Sequence, residues 1–536
     1  MNEERPLKPL LTSALTLALL SANHAIAADA DKTLRIGYTD PVSSLDPQLN
    51  NHAGDRSIAL HTYESLLERR DDGNHPGLAK SWEAKDNLTW VFHLRDDVTW
   101  QDGKPFTADD VVFSIERARN VPGSVAPYAA GLRTVASVKA LDAHTVEIKT
   151  NVPNPLLVAN VDATYLVSRH VGASANSEDY GSGKAAVGTG QYKLVSYSQG
   201  DRALFERNAS YWGPKPAWAK VDYRYIPNPA GRTAALLAGD VDVIDKVSPS
   251  DVQTLGKTRG VKVFAYPGLR ALIIQPSFRE GPNEFIRDNN GKPLAQNPLR
   301  DLKVRQALSL AINRKAIVER ILQNTVTEAN QWMPANTFGY NHQVKDIPFD
   351  ARQAKALLAE AGYPEGFQLT VHVPGDRYPL APESMQAVAQ FWARIGVKVD
   401  LQVVPWSVYA SRANKNEFAV SVIAWGNGTG EASYGLTNIL ASVDASKGLG
   451  MSNWGRYSNP QVDADLENAT VEFDDAKREA ILRDSVKRVS DDVGILPLFH
   501  YQNIWAARDG LKVVPWVSDR TAALMVSEDA SAEGKR

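Results

Sequence analysis

Between Asp350 and Val404 the apolar residues change period repeatedly, and this constrains the fold more than any other feature of the chain. Ala354, Leu357, Leu358 and Ala361 recur at helical spacing, with Asp350 placed to cap the start, Gly362 the end, and Pro364 to stop continuation. Phe367, Leu369, Val371 and Val373 then alternate as a strand does. A second helical set follows in Met385, Val388, Ala389, Trp392 and Ile395, closed by Gly396, before Val397, Val399, Leu401 and Val403 alternate again. Strand, helix and strand of these lengths imply parallel pairing through a right-handed crossover. An α/β lobe is expected around this stretch.

One lobe is not enough. The chain has 536 residues, more than a single hydrophobic core usually supports. Strand-like alternation also runs through 34–38, 88–94 and 145–149, and a long helical pattern runs from Asp301 to Leu322 with an interruption at Asn313-Arg314. No low-complexity linker divides the chain, so it is expected to cross between lobes in ordered strands. The candidate crossings are 261–275 and 495–507.

Composition removes several function classes. Lys and Arg total 59 against 62 Asp and Glu, a net charge of −3, without the basic excess of a nucleic-acid binder. There is no cysteine, which excludes disulfides, thiolate catalysis, iron–sulfur clusters and Cys-ligated zinc. Nucleophile-elbow, phosphate-loop and dinucleotide-binding patterns are absent, and no two histidines stand at i, i+4. No catalytic residue, metal ligand or cofactor site is read from the sequence, and binding is favoured over catalysis.

Residues 1–27 read as a secretory signal peptide: Arg5 and Lys8, an apolar run from Leu10 to Ala22, then Ala25-Ile26-Ala27 as cleavage pattern. A lipoprotein needs a cysteine at its new N-terminus, and none is available. The expected location is the periplasm, as a soluble exported protein.

Trp90-Val91-Phe92-His93-Leu94-Arg95, followed by Trp100-Gln101-Asp102-Gly103-Lys104-Pro105-Phe106-Thr107-Ala108-Asp109-Asp110-Val111, resembles a signature of the family 5 extracellular solute-binding proteins. These are the dipeptide, oligopeptide and nickel binders of ABC importers. Its own chemistry reads as structural, with Asp102-Gly103 as a turn and Thr107 and Asp110 as a capping box. Lys303 to Leu308 with Ala311-Ile312-Asn313-Arg314, Asp350 to Pro364, Gly188 to Tyr192 and Asn208 to Trp212 are similar to further motifs of that family. The resemblance implies an α/β, two-lobed clamshell of the class II-like kind, with an extra subdomain in the first lobe. Lobe I would take 28–265, with the insert at about 68–185, lobe II 266–495, and 496–536 would return to lobe I. It further implies a peptide or small-molecule ligand, membrane permease subunits of an ABC importer as partners, no nucleic acid, no cofactor and a monomeric state. The competing readings are a secreted hydrolase acting on peptides or glycosides and a nickel or metal-chelate carrier using His372 or His500.

The resemblance also places a site. Arg377, in Gly375-Asp376-Arg377-Tyr378-Pro379 after a strand, matches an arginine that holds the ligand carboxylate in dipeptide-binding members; the plain alternative is a surface pair with Asp376. Those members carry an aspartate shortly after a Gly-Trp pair to capture the ligand amine. Here Ala424-Trp425-Gly426-Asn427-Gly428-Thr429-Gly430-Glu431 puts Gly428 at that position. Either Glu431 takes over the amine, or Asn427 offers neutral hydrogen bonds to a ligand without one. Trp406, Tyr409, Trp425 and Tyr378 either meet ligand or fill core, and Ser43 and Ser44 either touch ligand or form a turn. The expected solute carries an anionic group and is a peptide or an opine-like amino-acid conjugate.

Overall fold

The computed structural model describes residues 32–70, 73–124, 128–514 and 520–529. The expected signal peptide lies outside them. Among the described residues no helix is long and apolar enough to cross a membrane.

The stretch from Asp350 folds as its periodicity requires. Asp350 accepts a hydrogen bond from the Gln353 N–H and starts the helix Ala351–Glu360. The strands Gln368–Pro374 and Lys398–Val404 pair in parallel from Gln368↔Lys398 to Pro374↔Val404, with the helix Ala381–Ala393 between them. Met385, Val388 and Trp392 face inward, and the Trp392 indole donates to the Leu308 carbonyl at 2.8 Å. The helix expected from Asp301 breaks where Asn313 stands: Leu302–Leu310 ends, and the Asn313 side chain caps a new start by accepting from the Ala316 N–H.

A nine-stranded sheet joins the two halves of the molecule. Thr33–Tyr38 runs parallel to Lys220–Tyr225 and to Val243–Ile244. Beyond Val243–Ile244 come Leu496–Arg508, Val261–Pro276 and Val420–Gly426, all antiparallel to their neighbours. The two long strands pair from Val261↔Arg508 to Ile274↔Leu496, with a register shift between Pro267 and Ala271.

The apolar contacts change hands along this pair. Ala271 to Ile274 and Leu496 to Phe499 belong to the core built from residues 271–499. Trp505 and Ala507 belong instead to the core built around Leu34, Ile36 and Tyr223. A third core lies under the four-stranded sheet of Ala79–Asp86, Thr89–Leu94, Thr145–Thr150 and Val135–Asp142, and draws on residues 66–166. In that unit Asp110 is fully engaged: it accepts from the Thr107 N–H, the Trp100 indole and the Arg169 N–H at 2.8–3.2 Å. The motif that suggested the family is thus a folding device.

Three histidines are built into the cores. His61 stacks on Phe205 at 4.6 Å and its Nε2 accepts from the Ala523 N–H. His372 lies between Phe418 at 4.1 Å and Phe285 at 4.9 Å, and His500 is buried on the crossing strand. Burial pushes all three down from 6.5 to about 4. A base whose folded value is depressed binds fewer protons folded than unfolded, so its stabilising effect is complete above 6.5 and is lost progressively as pH falls towards 4. Unfolding free energy measured by denaturant titration is expected to drop over that window, with a shallower slope in His372→Phe.

The register shift between the lobes has its own test. At Gly268 a Cβ would stand 2.4 Å from the Tyr501 carbonyl oxygen, so the two crossing strands approach too closely there for any side chain. Gly268→Ala is expected to lower stability by about 1–3 kcal/mol, read as a reduced melting temperature in calorimetry.

Candidate ligand-binding site

A cavity of about 930 Å³ lies where three parts of the chain meet. One wall comes from the four-stranded unit and its neighbours, with Arg56, Glu64, Arg69, Arg133, Asp162 and Tyr211. The opposite wall comes from the part of the chain that builds the 271–499 core, with Gly428, Thr429, Glu431, Tyr434 and Arg478, and the returning C-terminal segment adds Arg520. Arg69 crosses it: its Nη1 donates to the Gly428 carbonyl at 2.8 Å and its Nη2 to the Thr429 carbonyl. Outside the cavity lining, Phe473 meets Trp90 with ring centroids 5.9 Å apart.

The glycine loop owes its shape to its neighbours. Val420–Gly426 leads into it, and the Asn427 N–H donates to the Leu269 carbonyl at 2.9 Å, tying the loop to the crossing strand. Gly430 has φ of +71°, so the backbone favours glycine there, and the Arg69 guanidinium lies within ordinary contact distance of its Cβ position at 3.4 Å. At Gly428 a Cβ would meet only the Tyr434 ring, in ordinary contact at 4.0 Å.

Glu431 is on the wall but already partnered. It is 4% exposed and accepts from Arg478 Nε at 2.9 Å. Burial pushes its carboxyl up, against the opposing pull of the Arg478 charge. Arg478 also meets Asp475 at 2.8 Å and lies over the Phe338 ring. Glu64 is different: its oxygens accept from the Tyr211 hydroxyl at 3.0 Å and the Trp212 indole at 2.9 Å. Burial raises it to about 7, while these donors pull it down.

The remaining residues read from the sequence fall elsewhere. Arg377 is exposed, its guanidinium 5.3 Å from the Trp406 ring, and Asp376 caps the Trp406 N–H at 2.7 Å instead of pairing with it. Tyr378 and Trp406 meet at 5.9 Å, and neither they nor Arg377 line the cavity. Tyr409 is core: it is fully buried and its hydroxyl donates to the Val422 carbonyl at 2.9 Å. Asn427 is fully buried beneath the loop. Trp425 lies 5.2 Å from Tyr434, behind the wall. Ser43 and Ser44 lie in an irregular stretch whose N–H groups donate to Asp55, with the Ser43 hydroxyl doing the same. Of ten expected positions, Gly428 and Glu431 reach the cavity. The arginines that line it were not singled out, since residues 56, 69, 133, 478 and 520 share no spacing that a sequence pattern expresses.

Against this geometry stand the comparisons with known proteins. The model described as "Bacterial extracellular solute-binding proteins, family 5 Middle" matches residues 74–447. The chain belongs to the family 5 extracellular solute-binding proteins. Heme-binding protein A of Haemophilus influenzae is 29% identical over 82% of this chain and 81% of that protein. The periplasmic oligopeptide-binding protein OppA of Escherichia coli is 28% identical over 96% of each. Among solved structures, HbpA2 of Haemophilus parasuis superposes with a TM-score of 0.80 at 26% identity, covering 93% of this chain and all of the other. The family 5 fold, a two-lobed clamshell, is therefore the fold of this chain, and its members are transport binding proteins.

In this family 5 chain, removing Arg478 leaves the Glu431 carboxylate buried and uncompensated. Arg478→Ala is expected to cost about 3–5 kcal/mol of stability by chemical denaturation. The double change Arg478→Met with Glu431→Leu should recover most of it.

Proposed function

We propose that this protein is the substrate-binding component of an ABC importer, working in the periplasm. It captures a peptide or an amino-acid conjugate of opine-like chemistry, carrying an anionic group, and delivers it unaltered to membrane permease subunits. The observation that carries this reading is the cavity of about 930 Å³ between two halves joined by a pair of strands. A volume of this order suits a small solute. OppA of Escherichia coli is named for oligopeptide binding in the periplasm, which supports both the ligand class and the compartment.

A carrier of this kind needs a cleft that closes around ligand and reopens. The chemistry of the wall fits binding: tyrosine hydroxyls, backbone carbonyls and guanidiniums, while Glu64, the carboxyl raised to about 7, is held by the Tyr211 hydroxyl and the Trp212 indole. Among the described residues, no group of three or more His, Cys, Asp or Glu could hold a metal ion. His372 and His500 are enclosed by core side chains, and a metal-chelate carrier finds no support in them.

Mass spectrometry of ligand released from natively purified protein tests the reading directly. A peptide or amino-acid conjugate is expected, and adding it back should raise the melting temperature while its mass stays the same after prolonged incubation. Cleaved products would point to the secreted hydrolase.

A further inference from the structure

Asp162 lines the cavity on the same wall as Arg69, and one of its oxygens is left without a donor. The side chain is 5% exposed, and its Oδ2 is buried and accepts no hydrogen bond. Arg69 Nε stands 3.7 Å from that oxygen, close enough for an ion pair but about 0.5–1 Å too far for a hydrogen bond. A carboxylate sheltered from water is costly until donors reach it, so the gap calls for a cause.

The cause lies on the opposite wall. Arg69 turns Nη1 to the Gly428 carbonyl and Nη2 to the Thr429 carbonyl, which draws its guanidinium towards the glycine loop. Gly430 has no side chain to stand in the way, and its Cβ position is 3.4 Å from Arg69 Nη2. A guanidinium is a rigid planar fork. With the Nη donors given to the loop, Nε is what still approaches Asp162, and it falls short.

Separating the walls breaks both loop bonds and returns the two carbonyls to water, which satisfies them. The Arg69 guanidinium can then move onto Asp162, where guanidinium and carboxylate match in paired, charge-assisted bonds. Closing the cleft reverses this exchange. It gains two bonds to neutral carbonyls and gives up bonding to a carboxylate.

We propose that Arg69 and Asp162 form a two-position latch: the Arg69 guanidinium bonds the Gly428 and Thr429 carbonyls when the cleft is closed and Asp162 when it is open, so that Asp162 holds the empty carrier open. The proposal rests on the carrier reading above and adds to it two positioning residues that set affinity through closure. Apparent affinity falls in proportion to the fraction of molecules in the binding-competent form, and the competition for Arg69 sets that fraction.

The chain has no cysteine, so introduced ones can be labelled selectively. Lys139→Cys on the strand Val135–Asp142 and Lys355→Cys on the helix Ala351–Glu360 are exposed and put one spin label on each side of the cavity. In the full protein freed of solute, pulsed electron resonance reads the distance between the labels, and the shorter distance marks the closed form. Asp162→Asn is expected to raise the short-distance fraction about threefold or more, and Arg69→Gln to lower it by a similar factor. The double variant should match Arg69→Gln, because Asp162 acts only through Arg69. Arg69→Lys should open the cleft as well, since an ammonium can meet Asp162 but cannot bond both carbonyls in the same way. Melting temperatures show which variants fold, and if Asp162→Asn does not, the two Arg69 variants carry the test. A short-distance fraction that Asp162→Asn leaves unchanged or lowers would overturn the latch. A double variant as closed as Asp162→Asn, or an Arg69→Lys protein that closes like the parent, would do the same. All of these distances are read without solute, so such results leave the importer reading standing, which depends on what the native protein releases.

Discussion

The pairing of Val261–Pro276 with Leu496–Arg508 is the constraint on which the rest of the molecule depends. Each strand is shared between cores: its apolar residues on one side of the Pro267–Ala271 register shift serve residues 271–499, and on the other side serve the sheet around Thr33–Tyr38. A connection of this kind transmits relative rotation but resists separation, because pulling the lobes apart would break the backbone hydrogen bonds on both sides of the register shift. Loops could not do this. The glycine loop inherits the same frame, since Val420–Gly426 pairs with the second-core half of the crossing strand and Asn427 is tied to Leu269. Ligand-facing backbone and hinge are therefore one hydrogen-bonded unit.

On this frame the cavity concentrates guanidinium groups, and their partners decide what each can do. Arg478 is committed to Glu431 and Asp475, so it fixes the wall. Arg69 instead reaches across the cavity, donating to the Gly428 and Thr429 carbonyls while its Nε stays 3.7 Å from Asp162 on its own side. One arginine thus braces a wall and the other spans the gap between walls, a distinction that residue type alone does not make.

Local signals carried much of this architecture into the sequence. The parallel unit of Gln368–Pro374 and Lys398–Val404 was legible from periodicity, caps and glycines, because each of those acts over a few residues. The break at Asn313 was legible for the same reason, and so were the crossing strands as apolar segments without a linker between lobes. The site was less so. Gly428 and Glu431 could be found because they follow a strand within one segment, yet nothing local reveals that Glu431 is neutralised by Arg478, which is 47 positions away in the chain. Arg377 follows a strand end, a common place for ligand groups, and what the sequence does not show is that Asp376 turns back to cap the next helix and Arg377 settles over Trp406, outside the cavity. The set of Asp162, Arg69 and the Gly428 and Thr429 carbonyls exists only after three distant segments have been brought together.

The contacts across the cleft also bound how the molecule can work. Moving a two-state equilibrium from 1:99 to 99:1 takes a differential affinity of about 5.5 kcal/mol. Charge-assisted hydrogen bonds are each worth about 1.5–3 kcal/mol net, and less where water competes. Arg69 makes two such bonds across the cleft, and Trp90 with Phe473 adds one aromatic contact. These are enough to favour a particular closed geometry and too few to lock it against opening. The remainder has to come from the contacts that a bound solute adds to both walls. A carrier that must release its cargo benefits from that division, since the cleft closes firmly only while those added contacts are present.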